Sequence, residues 1–175
     1  TTFDEWVWSE EPSSGATDGG VSDYFSAPAY QTDAGVSPTS KNDSKVRRGV
    51  PDIAGDSAGG SAYSGLVIGG SGFSYYGTSC AAPLYAGLAA ALNQALGEPI
   101  GFLNPTLYAF GTSVCRDVTT GNNDSNDGSG APYYTAGTGW DACTGWGSIN
   151  GNALLQVFQA LFKKQCAFIM DESTY

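Results

Sequence analysis

Apolar positions fall into a few short runs separated by stretches rich in glycine, serine and aspartate. Glu5-Trp6-Val7-Trp8 reads as a strand, and Ser13-Ser14-Gly15, Asp18-Gly19-Gly20 and Ser37-Pro38 read as loops between short strands. From Gly49 the texture changes. Gly49-Val50-Pro51-Asp52-Ile53-Ala54 and Ser64-Gly65-Leu66-Val67-Ile68 predict short buried strands bounded by glycine. Ser79 to Leu96 then runs for eighteen residues without a charge, with alanine and leucine on every face. A helix apolar all round must be wrapped by protein, so this segment is expected to be a central helix. Gly97 is placed to end it in a left-handed turn. Asn104-Pro105 predicts a short helix with asparagine as cap and proline in the first turn. Asn122 to Gly130 reads as a surface loop. Asn152 to Lys164 predicts a last helix, with Leu154, Leu155, Phe158, Leu161 and Phe162 on an apolar face and Lys163 and Lys164 at its end, where positive charge suits the dipole. Short apolar strands around a buried helix predict an α/β domain with a largely parallel sheet flanked by helices.

Composition narrows the partners. The chain has 175 residues, enough for one domain, with 41% hydrophobic residues and no apolar run approaching the roughly 20 residues that cross a bilayer. Its first residues carry Asp4 and Glu5 among aromatics and read like the middle of a domain, not a leader. A net charge of −10 excludes nucleic acid and anionic membrane surfaces, which need a basic patch. Four of the seven basic residues lie between Lys41 and Arg48, which reads as a solvated loop, with a docking or processing site as the alternative. Few cations means few ion pairs for acid to break, so the composition permits work at low pH. The four cysteines, at 80, 115, 143 and 166, have no zinc spacing, and histidine is absent. Cys115 and Cys143 flank a polar loop and could pair; Cys166 could be free or linked to another chain.

Candidate chemistry centres on Ser79, directly at the head of the apolar helix. As an N-cap, its oxygen would accept a first-turn N–H. As a nucleophile, it would stand where free N–H groups and the helix dipole stabilise a developing oxyanion. Pro83 shifts the balance: it cannot donate to the Ser79 carbonyl, a break costing about 3 kcal/mol in an ordinary helix interior. Local rules broken without evident gain mark functional sites. The Gly-x-Ser-x-Gly elbow does not fit, because Ala81 stands where its second glycine belongs.

Gly77-Thr78-Ser79-Cys80-Ala81-Ala82-Pro83 resembles the nucleophile motif of subtilisin-like peptidases and of their acid-active relatives, the sedolisins or serine-carboxyl peptidases. The continuation Leu84-Tyr85-Ala86-Gly87 resembles the sedolisins. Asp18-Gly19-Gly20-Val21-Ser22, Gly49 to Ala54, Gly101-Phe102-Leu103-Asn104-Pro105-Thr106-Leu107-Tyr108 and Gly139-Trp140-Asp141-Ala142-Cys143-Thr144-Gly145-Trp146-Gly147-Ser148 match that family in order. The resemblance implies a subtilisin-like fold and a serine endopeptidase with Ser79 as nucleophile. It implies a glutamate base, an aspartate that orients it and a second, protonated aspartate at the oxyanion. Those three carboxylates have no motif match here. The resemblance places them N-terminal to this region, so residues 1–175 are expected to be the C-terminal part of one catalytic domain. The missing segment and peptide substrates are then the partners. Alone, the chain is expected to fold poorly and to lack turnover. Asp52 reads as a structural carboxylate near a strand end. The resemblance also implies a secreted, acidic vesicular or lysosomal setting, with zymogen processing.

Asp117-Val118 and Gly137-Thr138-Gly139-Trp140-Asp141 bracket the polar loop. On pattern alone, two such aspartates serve caps and turns; an EF-hand is excluded because its twelfth position is Tyr134. The sedolisin resemblance implies a structural calcium ion held by Asp117, Val118, Gly137, Gly139 and Asp141, the aspartates through side chains and the others through carbonyls. The calcium region would span about 115–148, and a Cys115–Cys143 disulfide could reinforce it. Two alternatives stay open: a subtilisin-type peptidase with aspartate and histidine upstream, and a calcium-stabilised fragment without catalysis.

Overall fold

A computed structural model describes residues 4–10, 15–58, 65–68, 71–124 and 133–172. In chain order the elements are β1 (Gly20–Val21), α1 (Ala29–Asp33), β2 (Gly49–Val50), β3 (Gly65–Ile68), β4 (Ser71–Ser74), α2 (Thr78–Leu96), α3 (Asn104–Phe110), β5 (Cys115–Arg116), β6 (Ser148–Ile149) and α4 (Gly151–Glu172). The strands pair antiparallel as β1–β2, β3–β4 and β5–β6. Within the described residues, the sheet expected to be largely parallel is represented by a parallel bridge between Ala54 and Ser148.

The core forms where α2, α3 and α4 meet β5. Leu92, Leu107, Tyr108, Val114, Cys115, Leu154 and Phe158 are all buried there, with Val36 from the loop after α1. Leu154 and Phe158 are four residues apart on one face of α4, and Leu88, Leu92 and Leu96 repeat the same spacing on α2. Each large apolar side chain so buried contributes about 1.5–3 kcal/mol. Gly151 allows α4 to start against α2, because a Cβ there would sit 3.1 Å from Leu88 Cδ1. The Asn150 side chain accepts the Ala153 N–H at 3.1 Å and caps α4 just before the expected start.

Three expectations need correction. The α2 helix is not wrapped all round: Leu92 is buried, but Ala82, Leu84, Ala86 and Ala90 are exposed, Leu84 by 60%. The described residues cover the Leu88–Leu92–Leu96 stripe and leave the opposite one exposed. Asn104 is not a cap. Leu103 occupies the N-cap position without a side-chain bond, and the Asn104 amide donates to Asp52 Oδ2 at 2.9 Å. The short helix α1 carries no apolar periodicity and was not expected. It is held by Gln31, wholly buried, whose amide donates to the Gly49 carbonyl at 2.9 Å and accepts the Gly49 N–H at 3.1 Å.

Candidate active site and metal loop

Ser79 is the second residue of α2, and it is exposed. It is not the N-cap: Gly77 holds that position at φ 98°, a backbone conformation open to glycine, and no side chain caps the helix. The Cys80 N–H is taken by the Gly77 carbonyl at 2.9 Å, which leaves the Thr78 and Ser79 N–H groups without intrahelical acceptors. Pro83 lies inside α2, so the Ser79 carbonyl lacks its helical donor. The hydroxyl thus sits at the positive end of a 19-residue helix, where first-turn N–H groups and the dipole favour an anion.

The frame around this terminus is rigid. The Gly77 N–H donates to the carbonyl of buried Ser57 at 2.7 Å, and Gly55 lies against Ala81 and Tyr85 where a Cβ would crowd both. Two turns into α2, the Tyr85 hydroxyl donates to the Ala54 carbonyl and accepts the Ile149 N–H at 3.3 Å. Tyr85 therefore ties the helix to both sides of the Ala54–Ser148 bridge, and burial pushes its phenol up in pKa. The Tyr85 anchor lay within the matched motif, but nothing local reveals its role. One strand turn earlier, Asp52 is fully engaged. Its Oδ2 accepts Arg48 Nη2 at 2.6 Å and Asn104 Nδ2 at 2.9 Å, and its Oδ1 accepts the Tyr108 hydroxyl at 2.8 Å. Tyr108 in turn accepts the Gln31 amide at 2.6 Å. No lone pair of Asp52 faces Ser79 in these contacts; the group braces the chain ahead of Ala54.

The five candidate calcium ligands lie in segments joined by hydrogen bonds. Gly139, at φ 84°, donates its N–H to Asp117 Oδ2 at 2.7 Å, while Asp117 Oδ1 is buried without a partner. Asp141 folds the loop on itself. Its Oδ1 accepts the Cys143 N–H at 2.9 Å, the Thr144 N–H at 2.8 Å and the Thr144 hydroxyl at 3.1 Å, and its Oδ2 accepts the Gly137 N–H at 3.1 Å. Thr144 Oγ1 also reaches the Val118 carbonyl at 3.5 Å. No cluster of three metal-ligating side chains exists among the described residues, so carbonyls must complete any ligand set. A buried carboxylate oxygen with no partner costs several kcal/mol unless something cationic answers it, and a hard, oxygen-seeking ion meets that need. The residues therefore fit calcium chemically.

The Cys115–Cys143 disulfide left open by the sequence is not formed. Cys80, Cys115 and Cys143 are free thiols. Cys115 opens β5 and packs in the core while Cys143 lies in the tight turn after Asp141, and burial pushes both thiols up to about 12. The side chain of Cys166 lies outside the described residues.

No protein-family model matches the chain. Kumamolisin of Bacillus sp. (strain MN-32) is 47% identical over 152 residues, covering 87% of this chain and 27% of that protein. Tripeptidyl-peptidase sed5 of Aspergillus fumigatus is 37% identical, covering 91% of this chain and 30% of that protein. The solved structure of Pseudomonas sedolisin, a serine-carboxyl proteinase complexed with two molecules of pseudo-iodotyrostatin, matches with a TM-score of 0.70 at 34% identity. That match covers 90% of this chain and 42% of the solved one. The chain belongs to the sedolisin family. Its architecture is part of the subtilisin-like α/β fold of that neighbour. The chain spans 27% and 30% of the length of the two curated relatives. No described helix is long and apolar enough to cross a membrane.

Proposed function

We propose that this chain supplies the nucleophilic serine of an acid-active serine-carboxyl endopeptidase. The observation that carries the reading is the exposed Ser79 at the N-terminus of α2, in a first turn with no side-chain cap and with an interior proline behind it. Ser79 Oγ attacks the substrate carbonyl carbon, and the oxyanion that forms accepts the Ser79 N–H at the positive end of the helix. The hydroxyl proton passes to a carboxylate on a segment N-terminal to this one, which also carries the orienting aspartate and the protonated aspartate at the oxyanion. That segment is the chain's partner in one catalytic domain; with it absent, Ser79 is half a site. A carboxylate titrates near 4.3 and an imidazole near 6.5, so a carboxylate base still takes protons in acid. The same reading places the enzyme outside the cell or in an acidic compartment, after processing of a precursor.

Calcium belongs to this proposal as a structural ion. Asp117 and Asp141 would hold it through carboxylates and Val118, Gly137 and Gly139 through carbonyls, neutralising the orphan Asp117 Oδ1 and fixing the loop against β5. The test is a pH–rate profile of the complete enzyme beside its Ser79→Ala variant. Activity should peak in acid and vanish with Ser79; a neutral or alkaline optimum, or turnover surviving the substitution, refutes the reading.

A further inference from the structure

Trp8 stands beside Gly77, the N-cap of the helix whose second residue is Ser79. A methyl group built on Gly77 would lie 3.9 Å from Trp8 Cη2 and 4.0 Å from the Ser79 amide nitrogen, so only the width of that missing methyl separates the indole tip from the head of α2. The ring is half-buried and its backbone is pinned on both sides. Val7, buried against Gly121, donates to the Thr120 carbonyl at 2.9 Å, and Thr17 donates to the Trp8 carbonyl at 3.1 Å. Ser9 bridges Ala16 antiparallel, which continues the same extended segment. In that segment Val7 points inward, so Trp8 and Glu10 share the other face. Glu10 Oε2 accepts the indole N–H at 3.2 Å and sets the ring's orientation. Two exposed tyrosines, Tyr75 and Tyr76, run directly into Gly77 and extend the aromatic border of this terminus.

A tryptophan with its polar atom already satisfied and its backbone fixed offers a rigid apolar face at little entropic cost. Placed against a catalytic serine, such a face meets whatever flanks the bond under attack. Resting on the peptidase reading of Ser79, we propose that Trp8 is a specificity-determining residue. Its indole receives an aromatic or branched apolar side chain of the peptide, next to the scissile bond, with Glu10 as the positioning residue for the ring.

The experiment uses the complete enzyme and pairs of peptides that differ only in one residue flanking the scissile bond, phenylalanine or leucine against alanine, on each side in turn. Trp8→Ala should lower the kcat/KM preference for the large residue at one flanking position by about tenfold, equivalent to about 1.4 kcal/mol. Trp8→Phe should keep most of that preference. Thermal unfolding and the rate at which a small fluorophosphonate labels Ser79 report folding and nucleophile separately, and both should change little. An unchanged preference overturns the proposal. So does an equal loss on every peptide, the outcome expected if Trp8 only packs against the rest of the domain. Turnover that survives Ser79→Ala sinks the peptidase reading itself and is distinguishable from either result.

Discussion

Asp52→Asn separates a bracing carboxylate from a catalytic one. The substitution keeps shape and removes charge. In one amide orientation the new NH2 faces Arg48 Nη2 and Asn104 Nδ2, both donors, at positions now 2.6 and 2.9 Å from Asp52 Oδ2. In the other it donates to the Tyr108 hydroxyl, which already accepts the Gln31 amide at 2.6 Å and so loses the acceptor for its own proton. Either way a half-buried donor is orphaned, at about 1–3 kcal/mol, and a charge-assisted bond to Arg48 worth about 1.5–3 kcal/mol is lost. The Arg48 and Asp52 side chains retain 19% and 20% exposure, so water recovers part of this; the expected net loss is roughly 2–3 kcal/mol. Urea unfolding of the complete enzyme should show the midpoint falling by about 1 M with unchanged slope. The labelling rate of Ser79 in the folded protein should hold. A midpoint shift below about 0.2 M would refute the network argument. Loss of turnover at full stability and full labelling would make Asp52 a member of the catalytic machinery. Arg48→Met should show strong coupling to Asp52→Asn in a double-mutant cycle, because each removes the same pair.

Two further outcomes concern the metal loop and acid. If calcium answers Asp117 Oδ1, a chelator should lower the melting temperature of the complete enzyme. At about a hundredfold excess of ion over Kd the linkage is about 2.7 kcal/mol, or roughly 5–10 °C, and Asp117→Ala should abolish the calcium dependence. A chelator effect that persists in Asp117→Ala would place the ion elsewhere. The Arg47 guanidinium, bonded to Asp43 through both nitrogens, lowers the Asp43 carboxyl from its ordinary 3.8 to about 2. A depressed folded pKa means the pair's contribution is complete above about 3.8 and is lost as pH falls through about 2. The Asp43 carboxyl carbon should therefore keep its ionised chemical shift at pH 3 by NMR, and a midpoint near 4 would show that the pair does not form in solution.

The features legible in the chain are those whose physics closes within a few residues. Gly97 takes the left-handed conformation at φ 76° because α2 needs a terminator there, and Pro83 marks α2 as abnormal without reference to any neighbour. The helix of Leu154 and Phe158 follows from spacing alone. What stayed hidden depends on partners far along the chain. Gln31 reads as an ordinary polar residue, yet it is wholly buried because Tyr108, 77 positions away, and Gly49 complete its hydrogen bonds. Asn104 has the composition of a cap, but Asp52, 52 positions off, claims its amide. Cys115 and Cys143 flank their loop evenly in sequence, and the fold sends one into the core and the other into a turn. The outer face of α2 teaches the reverse lesson. Its apolar character was read as a demand for burial all round, and among the described residues only one stripe is buried. Leu84, five residues from Ser79, stays 60% exposed on that outer face. On the proposed reading of Ser79, the segment that supplies the carboxylate base would pack across this face and cover Leu84 as it does so.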